Sequence, residues 1–154
     1  IGRPHIAEVM LSENLVDTFN EAFIHYIGAN GPAYVPKYRI SPREAIDLIR
    51  DAGGVAVAAH PGVLSSDTII DDMVKWGLGG IEAVHPLHTP QRQDYYRDIA
   101  RRHDIVVTGG SDWHGASRRR HFRNIENSDI PFTTVRELKR RAQEACGDDE
   151  IRAS

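Results

Sequence analysis

The chain has 154 residues, 40% of them hydrophobic and 27% charged, and a formal net charge of −3. These values suit one globular domain large enough to bury a core, and they exclude a global basic field that would draw in nucleic acid. No apolar run reaches bilayer length, no N-terminal stretch has a signal-peptide plan, and the single Cys146 excludes an internal disulfide or a thiolate metal cluster. A cytoplasmic location with no membrane partner is the resulting expectation, and any metal ligands must be His and carboxylate.

In chain order, the first third reads as helical. Ile6, Val9 and Met10, then Phe19, Ala22, Phe23, Tyr26 and Ile27, recur at helical spacing, with Gly28 as a C-cap. Gly31-Pro32-Ala33-Tyr34-Val35-Pro36 reads as an extended connection. Helix–strand alternation starts near residue 41. Ser41-Pro42-Arg43-Glu44 is a helix start with a Ser cap, Pro at the first position and Glu at the third, and Gly53-Gly54 ends that helix. Val55–Ala59 is a short apolar run of the kind buried parallel strands show. A helix over 67–76, a strand over 80–84, a helix over 90–103, a strand over 105–108 and an amphipathic helix over 132–146 follow. This alternation predicts parallel α/β structure, whose functional groups gather at the carboxyl ends of the strands.

Three strand ends carry candidate ligands. One ends in His60-Pro61-Gly62, one continues from Glu82 to His85-Pro86-Leu87-His88, and one runs into Gly109-Gly110-Ser111-Asp112-Trp113-His114-Gly115. An aspartate and an imidazole two residues apart on a glycine-rich turn can address one centre, and an Asp oxygen with a His nitrogen suits Mn²⁺, Fe²⁺ or Zn²⁺. The plainer reading is a turn in which Asp112 caps the next segment and His114 is exposed. His60 is equally a core histidine or a residue held extended by Pro61. Glu82, inside a strand, must be paired or ligated; it is a partner of a ligand His or of an Arg. His85 and His88 are candidate donors to a substrate phosphate, and the plainer alternative is two loop histidines. His25, His103 and His121 read as surface residues, and Trp113, Phe19, Phe23 and Tyr26 as packing.

Charge is uneven along the chain. Residues 1–100 carry 8 basic and 13 acidic side chains and residues 101–154 carry 11 and 9, with Arg118, Arg119, Arg120 and Arg123 directly after the Asp-x-His turn. That run is most simply a solvated basic loop, and otherwise a grip for substrate phosphates.

The stretches Gly2-Arg3-Pro4-His5-Ile6-Ala7, Ala33-Tyr34-Val35-Pro36, Ala52–Pro61, Gly79-Gly80-Ile81-Glu82 and Gly109–Gly115, in this order, resemble the PHP (polymerase and histidinol phosphatase) superfamily, closest to its stand-alone phosphoesterases acting on nucleotides and short RNA. The resemblance implies a distorted seven-stranded (β/α) barrel holding up to three divalent metals. It places metal ligands on His5, His60, Asp112 and His114, the last three also as catalytic residues. Arg3, just before His5, is then a candidate guanidinium for a substrate phosphate, and otherwise part of an ordinary surface ion pair. The resemblance likens residues 1–40 to the family's inserted helical subdomain and makes 41–154 the C-terminal βα units of the barrel. The family's N-terminal His-x-His does not occur in the 154 residues, so a C-terminal portion is expected, with its partner ligands upstream and the isolated fragment inactive. The implied activity is hydrolysis of phosphate esters of a phosphorylated small molecule, a nucleotide or the 5′ end of a short RNA (phosphatase or 5′-3′ exonuclease). An inert PHP-like binding module and a histidinol-phosphate-type phosphatase are the alternatives.

Overall fold

Alternation of short apolar runs with capped amphipathic segments produces a three-stranded parallel sheet flanked by helices. The computed structural model describes residues 2–36, 38–64, 66–113 and 130–152. It divides into two units, Ile1–Arg39 and Ile40–Ser154.

In the first unit, α1 (Arg3–Ser12) opens with Pro4 in its first turn, where a missing N–H costs nothing. Thr18 caps α2 (Phe19–Ala22) by accepting from the Glu21 N–H at 3.1 Å. The helix continues as one wide turn over Phe23–Ile27. Gly28 ends it with an extended backbone (φ −73°, ψ 174°) rather than the left-handed conformation of a glycine C-cap. Ala7, Val16, Ala22 and Ile27 form the core, lined by Met10, Phe19 and Phe23.

The second unit begins with α3 (Pro42–Asp51). Ser41 accepts from the Glu44 N–H at 3.2 Å while Glu44 accepts from the Ser41 N–H at 2.7 Å, a reciprocal cap. Gly53, at φ 73°, turns the chain out of the helix. Strand β1 spans only Val57–Ala58, shorter than the expected run, and the chain leaves the sheet at His60, which is left-handed. Helix α4 (Ile69–Lys75) starts two residues later than expected, after a turn in which Asp67 O accepts from the Ile70 N–H. Strand β2 (Gly80–Val84) and helix α5 (Pro90–His103) have the expected bounds; β3 spans Val106–Gly109 and α6 spans Thr133–Arg152.

The strand order is β1-β2-β3, all parallel, so β2 is central. Its burial explains its near-continuous apolar sequence. Register is regular from Gly80↔Val106 to Glu82↔Thr108, then shifts so that Val84 faces Gly109. Such an irregularity at a strand end re-aims side chains. The core of the unit is Ile46, Ala56, Ala58, Ile70, Leu78, Ile81, Ala83, Tyr96, Ile99, Ala100 and Ile105. Among the described residues no helix is long and apolar enough to cross a membrane.

Candidate active site at the strand ends

The parallel register brings the C-terminal ends of β1, β2 and β3 to one edge of the sheet. Two non-glycine residues there have left-handed backbones: His60 after β1 (φ 32°) and Asp112 after β3 (φ 50°). This conformation strains L-residues and persists where its surroundings enforce it, characteristically at functional sites. For His60 the strain is compounded, because Pro61 disfavours helical backbone in the residue before it.

The enforcement at His60 is visible. Glu82 Oε2 accepts from the His60 N–H at 2.6 Å across 22 residues of sequence. The partner of Glu82 is thus backbone, not the arginine that sequence alone also allows. A Cβ added at Gly110 would stand 3.3 Å from Glu82 Oε1, so the same carboxylate lies against the end of β3. Glu82 bridges the two flanking strand ends from the central strand.

Two histidines follow β2 and both are buried, His85 to 2% exposure and His88 to 4%. A backbone N–H can only donate, and this sets their tautomers. His85 Nδ1 accepts from the Leu87 N–H at 3.2 Å, so the proton of the neutral ring sits on Nε2, which lies 3.8 Å from Asp112 Oδ2. Burial pushes the His85 imidazole below its ordinary value; Glu82 and Asp112 pull it up, while His88 and His60 push it down. His88 Nε2 accepts from the Gly62 N–H at 3.1 Å, so Nδ1 carries the proton and donates to Ala83 O at 2.9 Å. Ala83 is the residue skipped by the register shift. Among the described residues both nitrogens of His88 are therefore committed to backbone, while the Nε2 of His85 lies on the side of Asp112.

The rings of His60, His85, His88 and Tyr96 form a row with centroid spacings of 5.5, 5.2 and 5.0 Å. The row ends in polar contacts that sequence reasoning did not single out: the Tyr96 hydroxyl donates to Asp67 at 3.1 Å and accepts from Arg92 at 2.8 Å. The Arg92-x-x-x-Tyr96 spacing of one helical turn was their one local signal.

At the outer end of the row, His60 Nδ1 is buried and has no hydrogen-bond partner among the described residues. An unmet buried ring nitrogen costs about 1–3 kcal/mol, which a bound ion or substrate group would relieve. With the carboxylate of Asp112 it offers the donor chemistry of a His/carboxylate metal site. Among the described residues, however, no three His, Cys, Asp or Glu side chains gather closely enough to hold an ion. His114, Arg118, Arg119, Arg120, His121 and Arg123 lie outside the described residues.

Arg3 and His5 belong to the first unit. His5 is exposed, and its Nδ1 accepts from the Gly2 N–H at 3.0 Å, capping α1. Arg3 donates to Ile27 O at 3.3 Å and lies over the Tyr34 ring at 5.4 Å. Trp113 and Tyr26, expected as packing, are 45% and 40% exposed.

The chain matches no protein-family model. It is 45% identical over 76 residues to a phosphoribosyl 1,2-cyclic phosphate 1,2-diphosphodiesterase of Eggerthella lenta, covering 49% of this chain and 29% of that protein. To a 3',5'-nucleoside bisphosphate phosphatase of Chromobacterium violaceum it is 30% identical over 119 residues, 74% of this chain and 42% of the other. To the 5'-3' exoribonuclease Rnm of Escherichia coli it is 24% identical, covering 74% and 41%. Its fold is similar to a solved structure from Bifidobacterium adolescentis named for metal-dependent phosphoesterase activity, with a TM-score of 0.74, 37% identity, and coverage of 92% of this chain and 50% of that one. The chain thus spans less than half the length of these curated relatives.

Proposed function

We propose that the chain is part of a divalent-metal-dependent phosphoesterase of the PHP type, acting on phosphate esters of nucleotides or on 5′ ends of short RNA. The observation that carries this reading is the pair of left-handed residues, His60 and Asp112, on two strand ends that Glu82 bridges. The similarity to phosphodiesterase, phosphatase and exoribonuclease sequences supports phosphoester hydrolysis as the chemistry.

In this reading His60, Asp112 and His114 are metal ligands, and further ligands and the rest of a seven-stranded barrel belong to chain outside the 154 residues. Bound divalent ions (Mn, Fe or Zn) would supply a water of lowered pKa for attack on phosphorus. The residues of this chain do the rest. Glu82 holds the His60 backbone in its left-handed form and so sets the direction in which its side chain leaves the chain. His85, whose pKa burial lowers, carries the proton of its neutral form on Nε2 and in this reading offers it to a phosphoryl oxygen.

The test uses the full-length protein. Elemental analysis should find a divalent metal. A panel of nucleoside bisphosphate, cyclic phosphate, 5′-phosphorylated RNA and histidinol phosphate should show metal-stimulated turnover of a nucleotide or RNA substrate. Asp112→Ala and His60→Ala should each lower that turnover by about a hundredfold or more, beyond the range seen when only a ligand's partner is lost. Near-wild-type activity in both variants refutes the assignment. Metal-free, inactive protein favours an inert binding module instead, and turnover of histidinol phosphate alone favours that phosphatase class.

A further inference from the structure

We infer that His88 is a positioning residue: it clamps the Gly62 N–H, holds the 60–63 turn in its strained form, and so aims His60. The inference rests on the reading of His60 as a site residue. The turn needs an external hold, because its own hydrogen bonds are few. His60 O accepts from the Val63 N–H at 3.1 Å and Pro61 O accepts from the Leu64 N–H at 2.9 Å, a single short 3₁₀ turn over Pro61–Val63. Against this stands a left-handed residue preceding a proline, a strained conformation.

Two groups from the neighbouring strand end oppose that strain. Glu82 holds the N–H on the upstream side of His60, and His88 holds the N–H of Gly62 on the downstream side. The peptide unit before His60 and the one after Pro61 are thus both held, and the two residues between them are kept from relaxing. Gly62 is shaped for this partner: a Cβ there would meet the His88 ring at 2.6 and 2.7 Å. His88 in turn is rigid, since its Nδ1–H is held by Ala83 O and its ring sits between His85 and Tyr96. The Tyr96 hydroxyl positions Arg92, whose Nη1 reaches Gly62 O at 3.5 Å. Among the described residues both ring nitrogens of His88 are thus taken by backbone groups, one of them in the turn.

Asn and Gln separate the two nitrogens of a histidine. His88→Asn can keep the donor to Ala83 O but loses the acceptor that reaches Gly62, whereas His88→Gln places an amide oxygen near the Nε2 position. In the full-length protein, Mn²⁺ affinity by titration calorimetry should fall about 10–100-fold in His88→Asn, the range expected when a ligand's supporting partner is removed. His88→Gln should recover most of that loss. Hydrogen exchange gives a second readout that needs no metal: the Gly62 amide in metal-free wild-type protein should be protected, and it should exchange faster in His88→Asn. A rapidly exchanging Gly62 amide in the wild type overturns the clamp, even if His88→Asn fails to fold. Wild-type affinity in His88→Asn, or a Gln variant as weak as the Asn one, also overturns it. His60→Ala is the control: unchanged Mn²⁺ affinity there refutes the ligand reading itself, whereas weakened affinity with an indifferent His88 refutes only the clamp.

Discussion

The carboxylate of Glu82 and the backbone N–H of His60, 22 residues apart in sequence, meet at 2.6 Å. The central strand thereby fixes the residue on which its neighbour ends. A hydrogen bond to an ionised acceptor is worth more than a neutral one, about 1.5–3 kcal/mol. This one also opposes the strain of a left-handed residue.

Glu82→Ala should therefore destabilise the protein by about 1.5–3 kcal/mol in urea unfolding and lower metal-stimulated hydrolysis about 10–100-fold. Glu82→Gln, which keeps an acceptor but not the charge, should lose less of both. An alanine variant indistinguishable from wild type in stability would show that the contact does not constrain the turn.

Gly62→Ala should cost about 1–3 kcal/mol, the usual penalty of forcing a methyl group into a packed position. The cause is steric, since the new Cβ would stand 2.6 Å from the His88 ring, which is held by Ala83 and cannot swing away. Thermal unfolding of the variant checks this, and an unchanged melting temperature would contradict it.

Acid should weaken the metal-free protein partly through His85. Burial depresses its folded-state pKa below the value of about 6.5 expected in the unfolded chain. The unfolded chain therefore binds the proton first, so this contribution is fully present above about pH 6.5 and is lost as pH falls through the window below it. Unfolding free energies at pH 7.5 and 5.5 should differ more in wild type than in His85→Gln, by at most about 1.4 kcal/mol per pH unit from this group. Parallel pH profiles for the two proteins would exclude the effect.

What the sequence by itself determined is local. The cap at Ser41-Pro42-Arg43-Glu44, the helix Pro90–His103 and the strand Gly80–Val84 are written in spacings of three or four residues, or in a run of five, and the structure reproduces them. The order of those elements also carries the parallel sheet, because alternating helices and apolar strands pack in few ways. The same order put His60, Glu82 and Asp112 near the ends of the strands. The partner of each side chain was not legible. Glu82 could have met an arginine, His88 a phosphate and His60 an extended backbone; instead Glu82 meets an amide 22 residues away, His88 one 26 residues away, and His60 turns left-handed. Those outcomes depend on the register of β1 on β2 and on the shift at Ala83, set by packing over the whole sheet. Hydrogen bonds within one turn follow from the residues that form it, but those between strand ends exist only once the sheet has aligned them.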